Sequence, residues 1–206
     1  GAVQSSDIYQ ARVRNRAQLA YKSVAAWLDG SGAIPKVLAA VGGLAENVRA
    51  QDRIAQRLKK LRHVHGALRL ETIQARPVFD DGHLCGFDVE KKSRATEIIE
   101  NFMIAANGVT ARYLVAKSFP SIRRVVRTPK RWDRIVELAQ AHGQTLPANA
   151  DSAALDAFLA KEQAADPAHF PLLSLAVIIL LGAGEYVAER PGVTAPGHFG
   201  LAVKDY

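Results

Sequence analysis

The stretch 94–114, RATEIIENFMIAANGVTARYL, constrains the fold most, because as a helix it has almost no polar face. At helical spacing Ala95, Ile98, Ile99, Phe102, Ala106, Val109 and Tyr113 form one broad stripe that must face a core. On the opposite side Ile104 and Ala111 alternate with Glu100 and Asn107, two polar residues two turns apart on one line. A helix apolar nearly all round is a buried one, so a carboxylate and an amide on its second face need partners. Either Glu100 is half-exposed or structurally paired, or the helix floors a polar pocket. Spacing alone favours the first.

Around this helix the chain reads as α+β, predominantly helical with a β-hairpin and short strands. Alternation over 6–14 predicts a strand. Leu19, Ala20, Val24, Trp27 and Leu28 then keep the stripe of a helix that Gly30 and Gly32 end, with Tyr21 off the stripe's centre. A small-residue loop over 31–43, with a helical turn in its middle, leads to a helix over 44–65. Its inward positions are Leu44, Val48, Ile54, Leu58 and Leu61, and Arg49, Arg53, Arg57 and Lys60 form a basic ridge. A solvated face explains that ridge at least as well as nucleic acid does. His63 and His65, two apart, cannot share a helix face, which argues against a metal site.

The period changes to two over 67–73 and 84–89, with Asp81-Gly82 between them as a hairpin turn. Cys85 is then a strand residue with no activating neighbour. A short basic strand spans 122–127. Thr128 is a natural N-cap and Pro129 a natural first residue for a helix that Gly143 stops, burying Trp132, Ile135, Val136, Leu138 and Ala139. Asp151 or Ser152 caps the next, with Leu155, Phe158 and Leu159 inward, and the helix over 167–181 reads as buried. Its apolar block reaches about half of the roughly 20 residues a span requires, so a core helix and no membrane partner are expected. Residues 196–203 form a glycine-bent turn entering a strand.

Charge and motifs narrow the function classes. Lys and Arg total 27 against 20 Asp and Glu, a formal +7, which favours a polyanionic partner. The lone Cys85 excludes an internal disulfide framework and fits a reducing, cytoplasmic setting. No nucleophile elbow, phosphate-cradling glycine loop or zinc spacing occurs. Motifs alone supply no complete active site. The chain starts without methionine and stops at Asp205-Tyr206 in mid-element, so it is expected to be a piece of a larger protein.

Several segments, in order, resemble the catalytic domain of the ribonuclease II family of exoribonucleases. These are 14–21 (RNRAQLAY) with Val24 and Trp27-Leu28, 62–68 (RHVHGAL), 98–107 (IIENFMIAAN), and His198-Phe199-Gly200-Leu201 followed by Tyr206. Singly each is weak; at these separations they are jointly specific. The resemblance implies processive 3′-to-5′ degradation of single-stranded RNA to 5′-mononucleotides, with an aspartate cluster holding Mg²⁺ and an arginine neutralising phosphate charge. In the family the aspartates precede the segment where this chain begins, and the arginine motif follows where it ends. Mg²⁺ ligands are therefore expected outside this chain, and the fragment alone is expected to be inactive and monomeric.

What carries over residue by residue is RNA contact. Tyr21 and Glu100 match the tyrosine and glutamate that touch the 3′-terminal nucleotide, a carboxylate accepting from a 2′-hydroxyl being a discriminator of RNA from DNA. Arg124 keeps the arginine of a family strand whose aromatic and histidine neighbours are absent here, and His198 and Tyr206 match positions expected to support the site. Leu70 stands where family members can carry a stacking aromatic. The 206 residues are expected to be part of a single RNB-type catalytic domain: strand and helices over 1–66, hairpin over 67–92, helical part over 93–196, and the start of the arginine-motif segment over 197–206. The alternatives are a non-catalytic RNA-binding relative and a basic helical protein-interaction module.

Overall fold

The apolar stripes of the helices converge on two buried clusters. The computed structural model describes residues 3–90, 92–193 and 196–204. It divides into two compact units, 1–61 with 92–109, and 62–91 with 110–206.

The first unit holds α1 (Tyr21–Leu28), α2 (Lys36–Ala39), α3 (Leu44–Val64) as far as Leu61, and α4 (Arg94–Ala116) as far as Val109. Val24 and Trp27 of α1, Leu38 of α2, Val48 and Ala55 of α3, and Ala95 and Ile98 of α4 make its core. Between α3 and α4 the seam is polar. Arg94 donates through Nε to buried Asp52 at 3.1 Å and pairs with it again through Nη2, while Gln56 and Lys59 reach Glu97 at 2.9 and 2.5 Å. These contacts sit at i, i+4 and i+7 on α3, one face of a helix.

That seam corrects the sequence reading of α4. Its buried line is Ala95, Ile98, Asn101, Ile104 and Ala111, whereas Ile99, Phe102, Ala106 and Tyr113 are exposed. Arg94 and Glu97 pin the helix rotation, and Asn101 meets the burial requirement by donating to the Glu97 carbonyl at 2.7 Å. On α3, likewise, Ile54 is exposed and Asp52 buried.

The strand predicted over 6–14 does not form. Residues 3–20 are irregular, and Ile8, Tyr9 and Val13 are exposed. Alternation creates a strand only where a neighbour pairs its backbone groups, and among the described residues none does.

In the second unit α3 ends at Gly66, whose φ of +89° and crowding against Ser152 and Ala153 leave no room for a side chain. The hairpin is β1 (Gln74–Asp80) and β2 (His83–Glu90), closed by Asp81 and Gly82 at φ +45° and +79°, the two positive values of a tight primed turn. Its first strand thus lies after 67–73, correcting the register of the sequence reading. Within 67–73 four backbone donors are already taken: Ala67 N–H by Arg62 O, Leu68 N–H by Gly200 O, Arg69 N–H by Asp156, Glu71 N–H by Ser174 Oγ.

A second antiparallel pair joins β3 (Ser121–Val125) to β4 (Glu185–Glu189), the latter absent from the sequence reading. The helices α5 (Trp132–Ala141), α6 (Ser152–Ala165) and α7 (Phe170–Leu181) enclose the larger core around Ile135, Leu155, Phe158, Leu159 and Val177. Asp151 caps α6 by accepting from Ala153 and Ala154 N–H, and Gly143 ends α5 at φ +69°, both as predicted. Thr128 caps nothing: the bridge of Val126 to His198 keeps the backbone extended and α5 starts only at Trp132. α7 buries Phe170, Leu173, Ser174 and Val177 but exposes Leu172, Leu175 and Ile179, because α5 and α6 cover one side of it. Among the described residues no helix is long and apolar enough to cross a membrane.

Asp156 is the polar node of this unit. Its carboxylate receives Arg69 N–H, Nε and Nη2 at 2.9, 3.0 and 3.1 Å, and His63 Nδ1 lies 3.5 Å away. Burial alone would raise its pKa; the hydrogen bonds from His63 and Arg69 outweigh it and hold the carboxyl at about 2. A depressed folded pKa means stability present above the unfolded value near 3.8 and lost as pH falls toward 2. Asp156→Ala should cost about 2–3 kcal/mol in denaturant unfolding at neutral pH, and the difference should shrink through this acid window. A variant as stable as wild type at pH 7 would contradict the role.

Candidate functional site

The α4 rotation that draws Glu97 into the seam leaves Glu100 nearer the surface. The Glu100 side chain is 34 % exposed, with Lys92 Nζ 3.2 Å from Oε2. This is the half-exposed, paired arrangement that spacing favoured. One turn earlier, burial would raise the Glu97 pKa, but hydrogen bonds from Gln56 and Lys59 and the charges of Lys59 and Lys92 lower it below the usual carboxylate range. Glu97 is thus the structural acid and Glu100 the accessible one. Tyr21 opens α1 in the same unit, is 51 % exposed, and its hydroxyl has no hydrogen-bond partner among the described residues. No bond joins it to Glu100.

In the second unit, strand alternation separates two adjacent arginines. Arg123 points inward, 3 % exposed, paired with Glu189 and donating through Nη2 to Ala111 O at 3.3 Å. Arg124 points outward. Its guanidinium lies 5.5 Å over the Tyr186 ring of the facing strand, and Nη1 donates to the Tyr186 hydroxyl at 3.2 Å. The aromatic partner that the sequence around Arg124 lacks therefore comes from β4. A short alternating run at 185–189 is its only sequence signal, and the pairing is not visible in it.

His198 joins this corner. Its backbone bridges Val126 on one side and Val203 on the other, ahead of the 3-10 turn Phe199–Leu201. Nδ1 accepts from Leu201 N–H at 3.1 Å, so in the neutral ring the proton sits on Nε2. Burial first, and then the positive Arg124, lower the His198 pKa, so the two are electrostatic neighbours. Tyr206 lies outside the described residues. Leu70 is partly buried against the larger core, a packing role for the side chain at the expected stacking position.

The first unit thus presents a hydroxyl and a carboxylate, and the second, separately, a guanidinium and an imidazole, all groups able to hydrogen-bond a polar ligand. Among the described residues no group of three or more His, Cys, Asp or Glu is placed to hold a metal ion.

The RNB domain family model matches residues 1–206. Ribonuclease R 1 of Lactococcus lactis is 25 % identical over 213 residues, covering all of this chain and 25 % of that protein. Exoribonuclease 2 of Escherichia coli is 29 % identical over 205 residues, covering 97 % of this chain and 30 % of that protein. The chain thus spans about a quarter to a third of these relatives. Mycoplasma genitalium RNase R, solved in complex with ribose-methylated single-stranded RNA, superposes with a TM-score of 0.73 at 18 % identity, over 90 % of this chain and 28 % of that one. It shows a shared fold.

The lowered His198 pKa has a sign that experiment can check. With the folded value below the unfolded one near 6.5, the unfolded chain protonates first, so His198's contribution is complete above that pH and declines below it. Replacing His198 by Asn should flatten the fall of Tm between about pH 6.5 and pH 5. Parallel pH profiles of wild type and variant would contradict the partly buried, capping ring.

Proposed function

The chain belongs to the RNB domain family, and on that premise we propose that it forms part of a 3′-to-5′ exoribonuclease that degrades single-stranded RNA. The match of the family model to every residue of the chain carries this reading. Ribonuclease R and exoribonuclease 2 among the relatives support it. The proposal extends to processive release of 5′-mononucleotides in the cytoplasm by a monomer, with Mg²⁺ held by residues outside these 206. These residues alone then cut no RNA.

Their part is the grip on the strand. Glu100, partly exposed on α4, accepts from the 2′-hydroxyl of the terminal ribose, a group DNA lacks. Lys92 beside it offsets the repulsion between that carboxylate and a nearby phosphate. Tyr21 presents an unengaged hydroxyl and a ring face to the same terminal nucleotide. In the other unit, Arg124 contacts phosphate, its fork kept in place by Tyr186, and His198 orients the 198–203 segment.

A hydrogen bond to a charged group contributes about 1.5–3 kcal/mol, or roughly 10–100-fold. In the protein that carries this chain, Glu100→Ala should therefore narrow the preference for RNA over DNA of the same sequence by about tenfold or more, read from single-turnover rates on both. Unchanged discrimination would remove Glu100 from ribose recognition.

A further inference from the structure

We infer that the outer face of α3 is a second contact for single-stranded RNA, a track for phosphates of the strand, resting on the exoribonuclease reading above. Arg49, Arg53, Arg57 and Lys60 are all exposed, on one side of the helix and within a single compact unit. At 1.5 Å rise per residue they extend over about 16 Å. Arg53, Arg57 and Lys60 make no ion pair or hydrogen bond among the described residues. Arg49 is held by stacking, its guanidinium 4.9 Å over the Trp27 ring of α1.

The distribution of the helix's other charges argues against a mere solubilising face. α3 has two carboxylates, Glu46 and Asp52. Asp52 is buried and taken by Arg94, leaving Glu46, a turn before Arg49, as the only acid on the ridge side. Lys59 faces the other way, consumed by Glu97. A face balanced for solubility interleaves signs at i and i+4, which offsets repulsion between neighbours. Here three successive cations repel one another unless a polyanion lies across them.

Single-stranded RNA is the polyanion that the exoribonuclease reading supplies, and the surface beside the ridge suits it. Arg57 also borders an apolar recess of about 430 Å³ formed with Ile54, Leu58, Phe102, Ala106 and Val109. Phosphates on a basic line with bases turned toward an apolar edge is the geometry by which a single strand is held without reading its sequence.

The test is the salt dependence of binding. Oligouridylate affinity is titrated against salt in chelator, using the protein that carries this chain and its Arg53→Ala/Arg57→Ala/Lys60→Ala variant. Each phosphate contact on a single strand contributes about 0.7 to the slope of log K against log salt, so the variant should lose about 2 from that slope. Raising salt from about 50 to about 200 mM should then weaken wild type some 10–20-fold more than the variant. The Arg53→Lys/Arg57→Lys protein, keeping charge, should retain the wild-type slope, which separates lost contacts from lost folding. If wild type binds and the triple variant keeps its slope, the track is wrong while the exoribonuclease reading stands. If the triple substitution instead abolishes binding to anionic vesicles and leaves oligouridylate untouched, the occupant is wrong. Wild type that does not bind oligouridylate at all overturns both.

Discussion

Buried carboxylates that must find cations set the geometry of both units. Removing a charge from water costs several kcal/mol unless a partner and hydrogen bonds replace the solvent, so each such group fixes whatever carries its partner. Asp52 fixes Arg94 and, with the Glu97 contacts, the rotation of α4. Asp156 fixes Arg69 and with it the backbone of the segment entering the hairpin. Glu189 fixes Arg123 and therefore which face of β3 looks outward. Apolar burial supplies the bulk of the stabilisation in each core, but a smooth apolar surface would accept several rotations of a helix that is hydrophobic nearly all round.

The candidate site residues are accessible as a consequence. With Glu97 drawn into the seam, the next acid on α4 lies nearer the surface, beside Lys92. With Arg123 drawn inward, strand alternation pushes Arg124 out over Tyr186. The inward and the outward member of each pair are close neighbours in sequence, and what separates them is burial, not residue type.

That division explains what the sequence revealed. Local signals were legible: the Asp81-Gly82 turn, the Gly143 stop, the Asp151 cap, and the inward Leu155, Phe158 and Leu159 each depend on residues a few positions apart. The ordered motifs around Tyr21, Glu100 and His198 were legible as well, and the family they suggested is the one the chain belongs to. What was hidden depends on partners far along the chain. Residues 6–14 alternate like a strand but have nothing to pair with, and 67–73 spend their donors on Asp156, Ser174 and Gly200. The stripe of α4 was misplaced because its apolar periodicity is nearly degenerate, and Asp52 on α3 lifts the degeneracy. Tyr186 beside Arg124 is a cross-strand fact with 61 residues between the two.

Under the proposed function these residues belong to an enzyme that shortens RNA from its 3′ end. The most direct measurement is digestion of 5′-labelled single-stranded RNA with Mg²⁺, alongside a chelator control, by the protein that carries this chain. The account predicts labelled products that shorten progressively to a small limit fragment, and none in chelator. Immediate release of a labelled mononucleotide, or internal cuts without progressive shortening, would contradict it.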